Sequence, residues 1–259
     1  MIPAAFITEW SNKAEWPTTD QIEQDLVLSR LIIEIANDEY LGNELVFRGG
    51  TCLHKLHLDP ALRYSEDLDY LRRSAGSIGE MIDAIRKIAF GLDMSVSTEI
   101  TTNPKIRLRA PFESGSGSMN VKIEVNTYER SPAMGLNRVP YSVENQWYRG
   151  SAEVQTFTVA ELVATKIRAL YQRTKGRDIF DLWLALTKLG VSPNDIVNCF
   201  ATYRPRKYTS ALAEQNLRSK LADANFRNDL DQLVIEWPSD YDIDSAAELI
   251  IDQLFRRIT

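Results

Sequence analysis

The sequence predicts an α/β (α+β) domain followed by a helical one, and three observations carry that prediction. The first third alternates helical periodicity with short apolar runs, the middle shows strict apolar/polar alternation, and from Thr158 onward the period returns to that of helices. The boundary falls near Phe157, so residues 1–157 form one domain and 158–259 the other.

The first long element starts after Pro17, where Thr18 and Gln21 fit a capping box, and runs through Ile22, Leu26, Leu31 and Ile35 to about Leu41. Glu44 to Arg48 reads as a short strand that ends in Gly49-Gly50-Thr51, with a turn of helix over Cys52 to Leu58. Leu68 to Leu71 is a second strand, and Ile78 to Phe90 is helical through Met81, Ile82, Ile85 and Ile88. Ser95 to Thr101, Lys105 to Ala110 and Met119 to Asn126 alternate as strands, with Glu113 to Ser118 a Gly-Ser loop between the last two. In the second domain Thr158 and Glu161 fit another capping box, Gly176 reads as a stop, Asp178 and Asp181 as caps of a helix ending at Gly190, and Ser192-Pro193 as the start of a third helix.

Composition narrows the classes. A chain of 259 residues with 44% hydrophobic and 25% charged residues buries a core without disulfides or a structural metal, which excludes collagen-like, disordered and disulfide-stapled proteins. No apolar run approaches the roughly 18 residues that span a bilayer, and Met1-Ile2-Pro3 lacks a basic leader. Cys52 and Cys199 are far apart and form no CxxC pair. The expectation is a cytoplasmic protein in a reducing compartment, with no membrane partner. A net charge of -6 argues against a coat for non-specific nucleic-acid binding. The charge is unevenly spread, however: Lys166, Arg168, Arg173, Lys175, Arg177, Arg204, Arg206, Lys207, Arg218 and Lys220 precede an acidic stretch from Asp223 to Asp252. A basic middle beside an acidic end suggests a local anionic ligand.

The chemistry concentrates in Arg48-Gly49-Gly50-Thr51 and Asp67-Leu68-Asp69. Two acids at i and i+2 of a strand share a face about 6 to 7 Å apart. They suit a hard divalent cation, which takes one or two carboxylates together with substrate phosphates. Glu124, on the polar face of a later strand, is the candidate third acid. Gly49 and Gly50 let backbone amides approach a phosphate, and Thr51 adds a hydroxyl. Ser65, read as lying on the strand face of Asp67 and Asp69, is a further phosphate donor. Cys52, His54 and His57 have zinc-ligand spacing, but the chain holds no other His to join them. Tyr203, Tyr208 and Tyr241 fit a core better than a base-stacking platform.

Gly49-Gly50-Thr51 with Arg63-Tyr64-Ser65-Glu66-Asp67-Leu68-Asp69 resembles the first motif of the AbiEii/AbiGii toxin family, a branch of the polymerase-β-like nucleotidyltransferase superfamily. Lys122-Ile123-Glu124-Val125-Asn126 is similar to its second motif. Lys166 to Leu170, Arg173, Lys175, Arg177-Asp178 and Asp181-Leu182 resemble its C-terminal motifs. The resemblance covers about Leu45 to Leu186, and the acidic C-terminal stretch matches no motif.

It implies a nucleotidyltransferase-fold mixed sheet with flanking helices, and a helical C-terminal domain that completes the active site. It also implies the toxin of a toxin-antitoxin system that moves a nucleotide from a nucleoside triphosphate to an acceptor. In mycobacterial members that acceptor is the 3′ end of tRNA, and its modification blocks translation. Asp67, Asp69, Lys166 and Asp178 are the catalytic residues so implied, with Mg²⁺, or Mn²⁺ in its place, on Asp67, Asp69 and Glu124. Gly49, Gly50, Thr51, Ser65, Arg48, Lys122, Arg173 and Arg177 bind substrate. A cognate antitoxin is the expected partner. The alternatives are transfer to a small molecule or a protein side chain, and a catalytically silent nucleotide-binding module.

Overall fold

The computed structural model describes residues 2–115 and 117–258; Ser116, in the Gly-Ser loop read from the sequence, lies outside the described residues. The chain divides into two compact units, Met1–Phe157 and Thr158–Thr259. Among the described residues no helix is long and apolar enough to cross a membrane.

In the first unit α1 (Ala4–Ser11) precedes α2 (Thr19–Asn37), whose Thr18 and Gln21 make the full capping box. The helix stops at Asn37 and not near Leu41, because the Asp38 carboxylate accepts from the amides of Tyr40 and Leu41 and starts α3 (Leu41–Glu44). Glu44 therefore ends a helical turn, and β1 is Leu45–Arg48. Then follow α4 (Gly49–Leu56), β2 (Asp67–Arg72), α5 (Gly79–Gly91), β3 (Ser95–Glu99), β4 (Lys105–Pro111) and β5 (Ser118–Asn126). β6 (Leu136–Glu144) and β7 (Arg149–Phe157) complete the unit.

The seven strands form one mixed sheet in the order β3-β4-β5-β2-β1-β7-β6. β1 runs antiparallel to β2 and parallel to β7, and β2 runs parallel to β5. One sheet face is core. Phe47, Leu68, Tyr70, Ile106, Leu108, Val121, Ile123 and Val125 are all buried, which requires the alternating partners in β1, β2, β4 and β5 to point the other way. The apolar sides of α2 and α5, with Leu28, Leu31, Met81 and Ile85, supply the rest of that core.

In the second unit α6 (Val159–Gln172), α7 (Arg177–Thr187), α8 (Pro193–Tyr203), α9 (Ser210–Leu221), α10 (Ala224–Arg227) and α11 (Ile243–Gln253) pack around Phe180, Phe200, Phe226 and Phe255. Two local readings change. Only half of the Thr158 capping box forms, since Glu161 turns inward, fully buried, to accept from the Tyr203 hydroxyl. Gly176 does not stop α6, which ends at Gln172; it precedes α7, where a Cβ would stand 2.1 Å from the Phe226 carbonyl. Tyr203 and Tyr208 are buried.

The acidic C-terminal stretch acquires a role that its sequence does not show. Asp229 pairs with Lys175 at 3.1 Å and Arg177 at 3.6 Å, Asp240 with Lys188 at 2.7 Å, and Glu248 with Arg218 at 2.6 Å. Lys220 donates to the carbonyls of Leu170, Tyr171 and Arg173 at the end of α6. Much of the basic middle is thus neutralised inside its own unit, which removes the argument for an anionic ligand from the charge asymmetry alone. Arg206 and Lys207 remain exposed.

Candidate active site

Side chains directly opposite one another in neighbouring strands project to the same face. β1 sets Arg48 against Asp69; β2 sets Asp67 against Lys122 and Asp69 against Glu124; β4 sets Lys105 and Arg107 against Glu124 and Lys122. The polar face of the sheet centre therefore gathers Arg48, Asp67, Asp69, Lys122 and Glu124 from sequence positions far apart. The Lys122 ammonium lies 3.0 Å from Asp67 and 3.6 Å from Glu124. Burial works to lower its pKa, but the hydrogen bond and charge of Asp67, with Glu124 and Asp69, outweigh it and raise the value. Burial first, then repulsion from Asp67 and Glu124, lifts the Asp69 carboxyl above the ordinary carboxylate range against the pull of Arg48 and Lys122.

The glycine pair explains how Asp69 reaches the start of α4. Gly49 has φ of +85°, and a Cβ there would stand 2.4 Å from Asp69 Oδ2. A Cβ on Gly50 would stand 2.4 Å from Arg63 Nη2 and 3.3 Å from Ser65 Oγ. The two glycines thus make room for the chain's own carboxylate and guanidinium. Arg63 is buried and donates from Nη1 to the Tyr64 carbonyl. The sequence reading gives Arg63 no role; the signal that could have found it is its place in the segment Arg63-Tyr64-Ser65-Glu66-Asp67-Leu68-Asp69 that carries both acids.

Thr51 lies in the first turn of α4, but Ser65 does not stand on the strand face where the sequence reading puts it. β2 begins at Asp67, so Ser65 precedes the strand, and its hydroxyl lies 2.8 Å from that of buried Thr51, which donates to the Asp67 carbonyl at 2.5 Å. These hydroxyls tie α4 to the start of β2. Arg48 stands opposite Asp69 in the pairing of β1 with β2, and its Nε is buried with no hydrogen-bond partner among the described residues. A buried unpaired donor is costly, which suits a residue that meets an anion.

A divalent cation fits this face in part. The donor set is hard oxygen, and relief of the repulsion on Asp69 is what such an ion supplies. Among the described residues, however, no three His, Cys, Asp or Glu side chains stand together closely enough to hold a metal ion. Lys122 stands between Asp67 and Glu124. The pair Asp67 and Asp69 is the part of the expected three-acid set that shares one strand face. Cys52, of the zinc-like spacing, lies 3.1 Å from the Thr156 hydroxyl, with Sγ 3.5 Å from the Phe47 carbonyl.

The second unit holds its own charged cluster. Lys166, on α6, reaches Asp181 at 2.7 Å and Asp178 at 3.4 Å, and Arg173 grips Asp178 with Nε at 2.7 Å and Nη2 at 2.8 Å. Asp178 and Asp181 are completely buried, and Lys166 nearly so. Asp178 is therefore not a cap: it lies one residue inside α7 and turns toward α6, and no side chain caps α7. Arg177 pairs with Asp229, so Arg173 and Arg177, two of the three arginines expected to bind substrate, have internal carboxylate partners.

The fold recurs in solved structures. JHP933 from Helicobacter pylori aligns over 93% of this chain and 94% of its own, with 16% identity and a TM-score of 0.56. MenT4, a nucleotidyltransferase toxin from Mycobacterium tuberculosis, aligns over 96% of this chain and 99% of its own, with 16% identity and a TM-score of 0.50. At these identities the likeness is one of fold, that of a nucleotidyltransferase. No curated protein matches the chain. The model of the family described as nucleotidyl transferase AbiEii toxin, Type IV toxin-antitoxin system, matches residues 30–248, and the chain belongs to that family. It is a nucleotidyltransferase.

Proposed function

We propose that this nucleotidyltransferase moves a nucleotide from a nucleoside triphosphate to the 3′ end of tRNA, in a toxin restrained by a cognate antitoxin, with the sheet's acidic face as its catalytic centre. The observation that supports the reading is the juxtaposition of Asp67 and Asp69 with Glu124 in register and with Gly49 giving way to the Asp69 carboxylate at the start of α4. Asp67 and Asp69 would hold Mg²⁺ or Mn²⁺, which supplies charge neutralisation to the triphosphate as pyrophosphate departs. Nucleotidyl transfer asks the protein chiefly for positioning and electrostatics, and the chain's own groups serve both ends. Arg48, with its unpaired buried Nε, meets the triphosphate beside Asp69. Lys122 keeps Asp67 and Glu124 from repelling each other before substrate arrives. In the second unit Lys166 is the proposed phosphate contact, oriented by Asp178 and Asp181, and Arg173 holds Asp178.

Incubation with each labelled nucleoside triphosphate in turn, a divalent cation and total tRNA tests the reading. Label is expected on tRNA. Label on protein or on a small molecule would move the acceptor to that class, and no label from any triphosphate would overturn the assignment of Asp67 and Asp69.

A further inference from the structure

The polar face of the sheet continues beyond the acids onto β4. Lys105, Arg107 and Arg109 lie on it because they pair with Glu124, Lys122 and Asn120 of β5, while the intervening Ile106 and Leu108 are completely buried in the core. Two apolar anchors thus lock the register of the three cations, and a one-residue slip would cost the core. Same-face neighbours on a strand are about 6.6 to 6.8 Å apart, so the row spans about 13 Å. It lies two strands from the acids, with Lys105 level with Asp69, Arg107 level with Asp67 and Arg109 reaching beyond them.

The row is weakly neutralised. Arg109 is exposed and Lys105 and Arg107 half-buried. Neither Lys105 nor Arg109 has an ion-pair partner among the described residues, and Arg107 has only Glu99, 3.8 Å away with half of its side chain exposed. The edge strand β3 sets Ser95 and Ser97 opposite Arg109 and Arg107, and the acid Glu99 opposite Lys105, all three exposed. No aromatic residue stands among these β3 and β4 positions, so the surface offers charge and hydroxyls but no ring on which a base would stack.

From this geometry we infer that β4 is a phosphate track for the acceptor, which is a single-stranded polynucleotide whose backbone runs along Arg109, Arg107 and Lys105 beside Asp67 and Asp69. The inference rests on the nucleotidyl-transfer reading above and names the residues that carry its acceptor. The spacing suits an extended strand's successive phosphates, and the row is longer than one triphosphate. Contacts to phosphate position a nucleic acid without reading its sequence. Arg204, Arg206 and Lys207 of the second unit are not needed for this track.

The test measures binding without catalysis. Ribo- and deoxyribo-oligonucleotides about 12 nucleotides long, within the usual range of single-strand sites, are titrated by fluorescence anisotropy at several KCl concentrations. Each phosphate contact on a single strand adds about 0.7 to the slope of log affinity against log salt. The triple variant Lys105→Ala/Arg107→Ala/Arg109→Ala should therefore flatten the slope by about 2 and Arg109→Ala, the most exposed single change, by about 0.7. Glu99→Gln, which frees Arg107, should tighten binding of both oligonucleotides.

Triphosphate affinity, by equilibrium dialysis, should be unchanged in all of these variants. Failure of the wild-type chain to bind either oligonucleotide, an unaltered slope in a folded triple variant, a loss confined to the ribo-oligonucleotide, or a loss of triphosphate affinity in its place would each overturn the track. A wild-type chain that binds with the expected slope yet labels no acceptor would leave the track standing and remove the reading of the acids.

Discussion

In the first unit Asp67 and Glu124 share the Lys122 ammonium, Asp69 stands opposite Arg48, and all three acids remain partly open to solvent. In the second, Asp178 and Asp181 are completely sealed and share two cations, Lys166 and Arg173. The residue types are the same, but the balance is not. The sheet face has more acid than base at its centre and a carboxyl, Asp69, whose ionised form is disfavoured. The helical cluster is matched charge for charge. An unbalanced, half-open cluster has charge left for a ligand to neutralise, whereas in the buried cluster each carboxylate already has a cation beside it. Burying such a pair is not itself stabilising, but removing one partner strands the other in a low dielectric.

The largest expected effect breaks the first half of that comparison. Asp69→Asn should abolish nucleotide transfer while raising the melting temperature at neutral pH in chelator. The sign follows from the raised pKa of Asp69: its protonated form is favoured in the fold, so stability is lost as pH rises from the ordinary carboxylate range through the folded pKa. The gain from Asn should shrink on acidification and vanish once wild-type Asp69 is protonated. A melting temperature lowered at pH 7, or retained transfer, would contradict the picture.

Lys166→Met should cost about 3 to 5 kcal/mol in denaturant unfolding, because it removes the ammonium 2.7 Å from Asp181 and 3.4 Å from Asp178, both completely buried. Lys166→Met/Asp181→Leu should recover most of that loss, since apolar replacement of a buried ion pair is close to neutral. If Lys166 serves the phosphates as proposed, the double variant stays inactive despite its restored stability. Recovered transfer would make the whole cluster structural.

Gly49→Ala should cost about 1 to 3 kcal/mol, because a left-handed backbone is imposed on a residue with a Cβ and that Cβ displaces the Asp69 carboxylate. Transfer should fall further than stability, which a paired measurement of melting and rate would reveal. Smallest is Ser65→Ala, at about 1 kcal/mol for one hydrogen bond. It loosens the tie between α4 and β2 and should lower the melting temperature more than it slows transfer; the reverse order would return Ser65 to the triphosphate.

Several elements were legible because their signal is local. The capping box at Thr18 and Gln21, the helix through Met81 and Ile85, and the alternation of β4 and β5 each depend on residues within one turn or one strand. β6 and β7 were missed. β6 is half-exposed with Pro140 inside it and β7 buries both faces near its end, so neither shows clean alternation. The Asp178 cap failed for a related reason. An Asp at a helix start looks like a cap in sequence, and only packing of α7 on α6 shows that Arg173 and Lys166 take its oxygens. The acidic end stretch was unreadable because the partners of Asp229, Asp240 and Glu248, namely Lys175, Lys188 and Arg218, come earlier in the chain by 30 residues or more.

By itself the sequence determined the α/β-then-helical plan and the family and singled out Asp67, Asp69 and Glu124 as candidates, since each is carried by spacing along one strand or motif. Tertiary structure alone decided which charges meet. Parallel pairing of β2 with β5 set Lys122 between the acids, and antiparallel pairing of β4 aligned Lys105, Arg107 and Arg109 beside them. It also spent Arg173 and Arg177 on internal carboxylates. Electrostatic interaction falls with distance through space and not along the chain, so the balance of each cluster exists only once the strands and helices have found their neighbours.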